Sequence, residues 1–160
     1  MKEPKSRMEE IWQQLYPGDD GALLREFFGE LDRTVQSITF PPHREGWYKD
    51  AIVYSLYVDL FNRDFQGLED KLDYLGELGV NCLWLLPILD SPGRDAGFDI
   101  RDYRSIRPDL LGLTNKAGQE EKAAVFAGFL EKAHRRGIKV IFDIAINHTS
   151  NEHPWFMESR

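Results

Sequence analysis

The sequence predicts an α/β protein: the first three βα units of a (β/α)8 barrel, preceded by a short helical leader. Three observations lead there. Apolar, β-branched runs at Ala51–Leu60, Val80–Leu86 and Lys139–Ile146 alternate with stretches whose leucines recur at helical spacing, the order that gives right-handed crossovers and a parallel sheet. The glycine signatures of phosphate-binding open sheets, GxGxxG and GxxxxGKS/T, follow neither early strand. A complete barrel takes about 250 residues, and this chain has 160.

Residues 1–46 read as the leader. Met8, Ile11, Trp12 and Leu15 recur at helical spacing, and Pro17-Gly18-Asp19-Asp20 ends that run. A second helix is expected over Ala22–Val35, with Leu23, Leu24, Phe27, Phe28 and Leu31 on one face. Pro41-Pro42 marks the boundary to a second region, residues 47–160.

In that region Ala51–Leu60 is expected as a strand, with a turn at Asn62-Arg63-Asp64. Leu68, Leu72, Leu75 and Leu78 then form one helical stripe that Gly79 can cap. Val80–Leu86, closed by Pro87, suits a parallel strand covered on both faces. Residues 88–115 form a loop of a length that, in compact domains, is functional or disordered. A helix over Gln119–Arg136 turns Val125, Phe126, Phe129, Leu130 and Ala133 inward, and its basic end meets a glycine cap at Gly137. Lys139–Ser150 reads as a buried strand with Asp143 in its middle and Asn147 and His148 at its carboxyl tip, where α/β enzymes build their sites.

Composition narrows the class of function. The chain is 42% hydrophobic and 29% charged, with a net charge of −7 and a pI near 5.1, so it offers no electrostatic footprint for nucleic acid or an anionic membrane. No apolar run reaches the roughly 18 residues of a membrane span. The start, MKEPKSRMEE, lacks the apolar core of a secretory signal. The single cysteine, Cys82, excludes an internal disulfide and reads as a buried strand thiol in a reducing compartment, so a cytoplasmic location is expected.

At Asp143-Ile-Ala-Ile-Asn147-His148 the chain resembles the first conserved motif of the α-amylase superfamily, glycoside hydrolase family 13, in which an Asp, an Asn and a His end the third barrel strand. Further landmarks stand in the family's order. Asp50–Tyr54 with Val58–Phe61 resembles the first strand, and Leu72–Leu75 with Leu78–Val80 the first helix. Trp84–Pro87 resembles the second strand, and Gly97-Phe98-Asp99 with Asp102-Tyr103 the loop beyond it. His148-Thr149-Ser150 with His153-Pro154-Trp155-Phe156 resembles the entry to an inserted B domain. Leu89–Pro92, Arg94-Asp95 and the HPWF run look most like trehalose synthases; the VYSLYVDLF run and the leader are similar to amylosucrases, and oligo-1,6-glucosidases share several of these features.

The resemblance implies a role for particular residues. Asp95 matches an acid that holds hydroxyls of the terminal glucose, although on a loop it also suits a solvated turn. Phe98 matches a stacking tyrosine; without the hydroxyl it can stack but not donate. His148 matches the imidazole that binds the sugar's primary hydroxyl, and Asp143 a carboxylate that orients an arginine; buried alone it would be costly, which implies a partner. Asn147 matches a calcium ligand of many amylases, or is a strand-end amide that satisfies backbone. Calcium is the only cofactor the resemblance implies. After the first strand, Asn62–Gln66 is too poor in oxygens for the metal loop of some relatives.

Retaining glycosidases need two carboxylates roughly 5 Å apart across the scissile bond. The family places them after the fourth and fifth strands, with a further essential Asp after the seventh, so the expectation is an N-terminal portion of an α-glucan-active hydrolase or transferase that lacks its reacting pair. Its partner would be an α-glucosidic sugar: maltose, trehalose, sucrose or a short α-glucan. The competing expectation is a truncated, non-catalytic sugar-binding or interaction module.

Overall fold

The computed structural model describes residues 4–38 and 46–159. The chain divides into two compact units, Met1–Glu45 and Gly46–Arg160; the expected break at Pro41-Pro42 lies outside the described residues.

The first unit is a helical hairpin, α1 (Pro4–Leu15) and α2 (Ala22–Ser37). Its connection is tied by Asp19, whose Oδ1 accepts from Trp12 Nε1 at 2.9 Å and from the Gly21 amide at 2.6 Å. Of the five residues expected on the inner face of α2, only Leu24 and Phe28 are buried; Leu23, Phe27 and Leu31 stay exposed, because one partner helix covers only one stripe.

The second unit runs β1 (Val53–Leu56), α3 (Val58–Asn62), α4 (Phe65–Glu69), α5 (Leu72–Glu77), β2 (Cys82–Leu85), β3 (Leu89–Asp90), β4 (Asp102–Ile106), α6 (Gln119–Arg135), β5 (Lys139–Phe142) and α7 (Pro154–Glu158). Strands β1, β2 and β5 form a parallel sheet in that order, in register from Val53, Cys82 and Lys139 to Leu56, Leu85 and Phe142. Two strand–helix units and a third strand are therefore present. The third expected unit is incomplete, since only the short α7 follows β5 among the described residues.

Several expectations are corrected here. The strand expected to Leu60 stops at Leu56, and Val58 turns into the core as the first residue of α3. The chain then folds back on itself. Asn62 Nδ2 donates to the Gly67 carbonyl at 2.7 Å, and Asp64 Oδ1 caps α4 by accepting from the Gly67 amide at 2.7 Å. A Cβ on Gly67 would lie 1.8 Å from the Asn62 oxygen, so glycine is obligatory there. The single helix expected over 68–78 is two pieces, α4 and α5, which still bury Leu68, Leu72 and Leu75 on one stripe while Leu78 stays exposed. The long loop is ordered by its own antiparallel pair, β3 with β4.

Both expected glycine caps are present in the same form. Gly79 (φ 85°) and Gly137 (φ 73°) each end a helix, with Val80 N bonding Leu75 O and Ile138 N bonding Ala133 O at 3.0 Å. These caps launch β2 and β5. The core lies between one face of the sheet (Leu56, Leu83, Leu85) and the helices, through Phe65, Leu72, Leu75, Phe129, Ala133 and Ile138. The other face carries Val53, Trp84 and Ile141, all more than two-fifths exposed, so β2 is not covered throughout. Nor is the last strand the buried one expected: among the described residues β5 pairs only with β2, and Ile141, Phe142, Ile144 and Ile146 are exposed.

Candidate functional site

Beyond the carboxyl ends of β2 and β5, two segments distant in sequence are joined. Leu89, Ile100 and Ala145 form a second small core, with Phe98, Tyr103 and Ile106 packed against it. The Ser150 amide donates to the Ile100 carbonyl at 2.9 Å. Tyr103 is the main tie: its hydroxyl lies 2.7 Å from the Ala145 carbonyl and 2.8 Å from that of His148. One phenolic proton thus serves two acceptors. Burial pushes the Tyr103 phenol up, which keeps it a donor.

The residues singled out in the sequence are arranged around this seam. Phe98 is half-buried against the Ala145 cluster. Asp95 is exposed, at the start of a turn that its carbonyl closes by accepting from the Phe98 amide at 2.8 Å. The turn is tight: Gly97 has φ 92°, and a Cβ there would meet Pro87 Cβ at 2.9 Å. His148 and Asn147 are exposed side by side, with Nδ1 3.0 Å from the amide oxygen. Asp143 extends the ladder, its amide donating to Leu85 O at 2.8 Å. Its carboxylate is half-buried, and among the described residues it meets no hydrogen bond or ion pair. The structure joins the segments bearing Phe98, Asp143 and His148, but brings none of these side chains into hydrogen-bond contact with Asp95.

An open cleft of about 420 Å³ is lined by Tyr103, Ile146, Asn147, His148, Thr149 and Trp155. Tyr103 and Trp155 stack with centroids 6.0 Å apart and planes at 26°, forming one apolar wall beside the polar His148 and Asn147. An aromatic face with polar groups beside it is suited to a sugar ring, whose axial hydrogens pack on the ring while its hydroxyls are hydrogen-bonded. A calcium ion takes six to eight oxygens. Asn147 offers a single amide oxygen, already set against His148, and no group of three or more His, Cys, Asp or Glu is poised for a metal among the described residues. The residues present do not compose a calcium shell.

Two features escaped the sequence. Asp99 accepts from Ser91 Oγ at 2.7 Å, from the Arg94 amide at 3.1 Å and from the Asp95 amide at 3.2 Å. Burial works to raise its carboxyl, but these donors outweigh it and hold the group below the usual carboxylate range. Arg101 and Arg94 reach across to Glu152. Asp99 and Tyr103 are visible in the sequence as landmarks, but nothing in local spacing announces the partners of Tyr103 and Arg94, 42 to 58 residues away.

A parallel sheet with its long loop and its third-strand tip gathered at the carboxyl edge is the arrangement of α/β barrel enzymes. The chain belongs to the α-amylase family: residues 33–160 match the family model described as the α-amylase catalytic domain. Among its relatives, oligo-1,6-glucosidase of Heyndrickxia coagulans is 45% identical over 121 residues, 71% of this chain and 20% of that protein. Trehalose synthase of Thermus thermophilus is 47% identical over 121 residues, 71% of this chain and 11% of its own length. The crystal structure of trehalose-6-phosphate hydrolase from Bacillus licheniformis superposes with a TM-score of 0.59 at 41% identity, over 71% of this chain and 20% of that one. The chain thus spans about a fifth or less of the relatives it matches.

Proposed function

We propose that these residues open the catalytic barrel, as its first βα units, of a longer enzyme that acts on a small α-glucoside such as maltose, trehalose, sucrose or a short α-glucan. Asp95, Phe98, Asp143 and His148 form part of the floor of its sugar subsite. The observation that carries this reading is the Tyr103 tie, which holds the His148 segment against the loop bearing Asp95 and Phe98 at the carboxyl end of parallel strands. The relatives named for trehalose and oligo-1,6-glucoside chemistry point the same way.

In the proposed division of labour these groups bind and orient. Phe98 presents an apolar face to the ring, His148 Nε2 meets a hydroxyl, and Asp95 accepts from hydroxyls of the terminal sugar. Bond cleavage by retaining double displacement needs a nucleophile and an acid about 5 Å apart. Residues 1–160 are proposed to lack that pair and to turn nothing over alone. A cytoplasmic location belongs to the same proposal and rests on the buried lone thiol of Cys82.

The test compares the full-length protein with residues 1–160 on p-nitrophenyl α-glucoside, maltose, trehalose and sucrose. Turnover by the former and none by the latter is expected. A full-length protein inert towards every α-glucoside would sink the reading, and turnover by residues 1–160 alone would sink the assignment of roles.

A further inference from the structure

Glu152 sits between two arginines that come from different stretches of the long loop. Its Oε1 is 2.5 Å from Arg94 Nη2, and its Oε2 is 3.2 Å from Arg101 Nη1. Arg94 also donates through Nη1 to Asn151 Oδ1 at 2.9 Å. Arg101 turns its other edge to Asp90, with Nε to Oδ2 at 2.8 Å and Nη2 to Oδ1 at 2.9 Å, a planar two-point fork. The two arginines are balanced by two carboxylates, and the run of contacts reaches from β3, through the turn before Asp95, to the segment that follows His148.

These side chains are partly exposed: Arg94 60%, Arg101 42%, Glu152 35%. Ion pairs that open to water add little stability. What a two-armed carboxylate between two guanidinium groups adds is geometry, because each fork accepts only a narrow range of orientations. The turn beginning at Arg94 is held from within by Asp99 and by the bond from the Phe98 amide to the Asp95 carbonyl; Phe98, Ile100 and Tyr103 tie the loop beyond it to the third-strand segment, and the ties at its first residue, Arg94, run to Asn151 and Glu152. Glu152 links that residue to Arg101.

We propose that Glu152 is a positioning residue: by bridging Arg94 and Arg101 it sets the turn that carries Asp95 and Phe98 against the segment that carries His148, and so fixes the width of the sugar subsite between them. This rests on the sugar-site reading above. It assigns Glu152 no contact with the sugar.

The test uses the full-length protein and two readouts. In Glu152→Gln, KM for the preferred α-glucoside rises about tenfold with kcat within about twofold, the signature of lost binding geometry rather than lost chemistry. Amide exchange at Arg94 and Asp95 accelerates in the same variant, and Arg94→Gln made alone raises KM in the same direction, because it removes one arm of the bridge. Faster exchange with an unchanged KM would make the bridge a staple and overturn the proposal, as would unchanged exchange. A wild-type protein without α-glucoside turnover would remove the sugar-site reading itself, an outcome distinct from an active enzyme whose KM ignores Glu152.

Discussion

Tyr103 and Asp99 show how single polar groups hold this site together. Tyr103→Phe keeps the ring on Trp155 and removes only the hydroxyl that meets Ala145 O and His148 O. The expected cost is about 1 kcal/mol in denaturant unfolding, with faster amide exchange at the Ser150 end of the segment; unchanged exchange there would show that the Ile100–Ser150 bond suffices. Asp99 makes a prediction with a sign. Its carboxyl is held below the usual value, so its contribution is present above a pH of about 4 and is lost as the pH falls through the lower folded value. Asp99→Asn therefore loosens the 91–99 turn at neutral pH and removes part of the acid-induced loosening that sets in as the pH falls below about 4, measured as the difference in exchange between variant and wild type. At this scale the sequence carried residue types better than surroundings. Asp143 and His148 stand out from their motif, whereas the contact of His148 Nδ1 with the Asn147 side chain and the tie of its carbonyl to Tyr103 depend on how the chain folds.

Glycines separate the elements that local sequence controls from those it does not. Gly79 and Gly137 are legible as caps because their φ values, 85° and 73°, are the left-handed conformation that ends a helix. Gly67 is not legible: it lies inside α4, and its necessity arises from the Asn62 carbonyl folding back on it. Gly67→Ala should cost about 3 kcal/mol or more, because the clash is with backbone that cannot swing away. Gly128→Ala in α6, where a Cβ meets open space, should instead stabilise by about 0.5–1 kcal/mol. Thermal unfolding of the pair checks both signs. The long helices α1, α2 and α6 follow their sequence periodicity closely. The strands and the 68–78 helix do not: four-residue strands and a split helix are set by where neighbouring chains pair and cap.

Across the whole molecule, apolar surface is distributed unevenly. One face of the sheet is sealed by helices, while Val53, Trp84 and Ile141 line the other, and among the described residues β5 pairs on one side only. Open strand edges beside apolar faces promote association. Residues 1–160 alone are therefore expected to self-associate as concentration rises, and Ile141→Lys to reduce that association without changing the far-ultraviolet circular dichroism. Sedimentation velocity decides it; a monodisperse wild-type piece at high concentration would contradict the account.

Periodicity and caps pointed to an α/β chain, and the resemblance of the Asp143–His148 motif and of the ordered landmarks around it to the α-amylase family singled out Asp95, Phe98, Asp143 and His148, because these signals are local. The seam at Tyr103, the Asp99 hub and the Glu152 bridge came only with the folded chain. The Asp99 hub is local, its donors within eight residues, but the partners at the Tyr103 seam and the Glu152 bridge lie up to 58 residues apart, and nothing short of the sheet's parallel register and the packing of Phe98 on Ala145 brings them within hydrogen-bond reach.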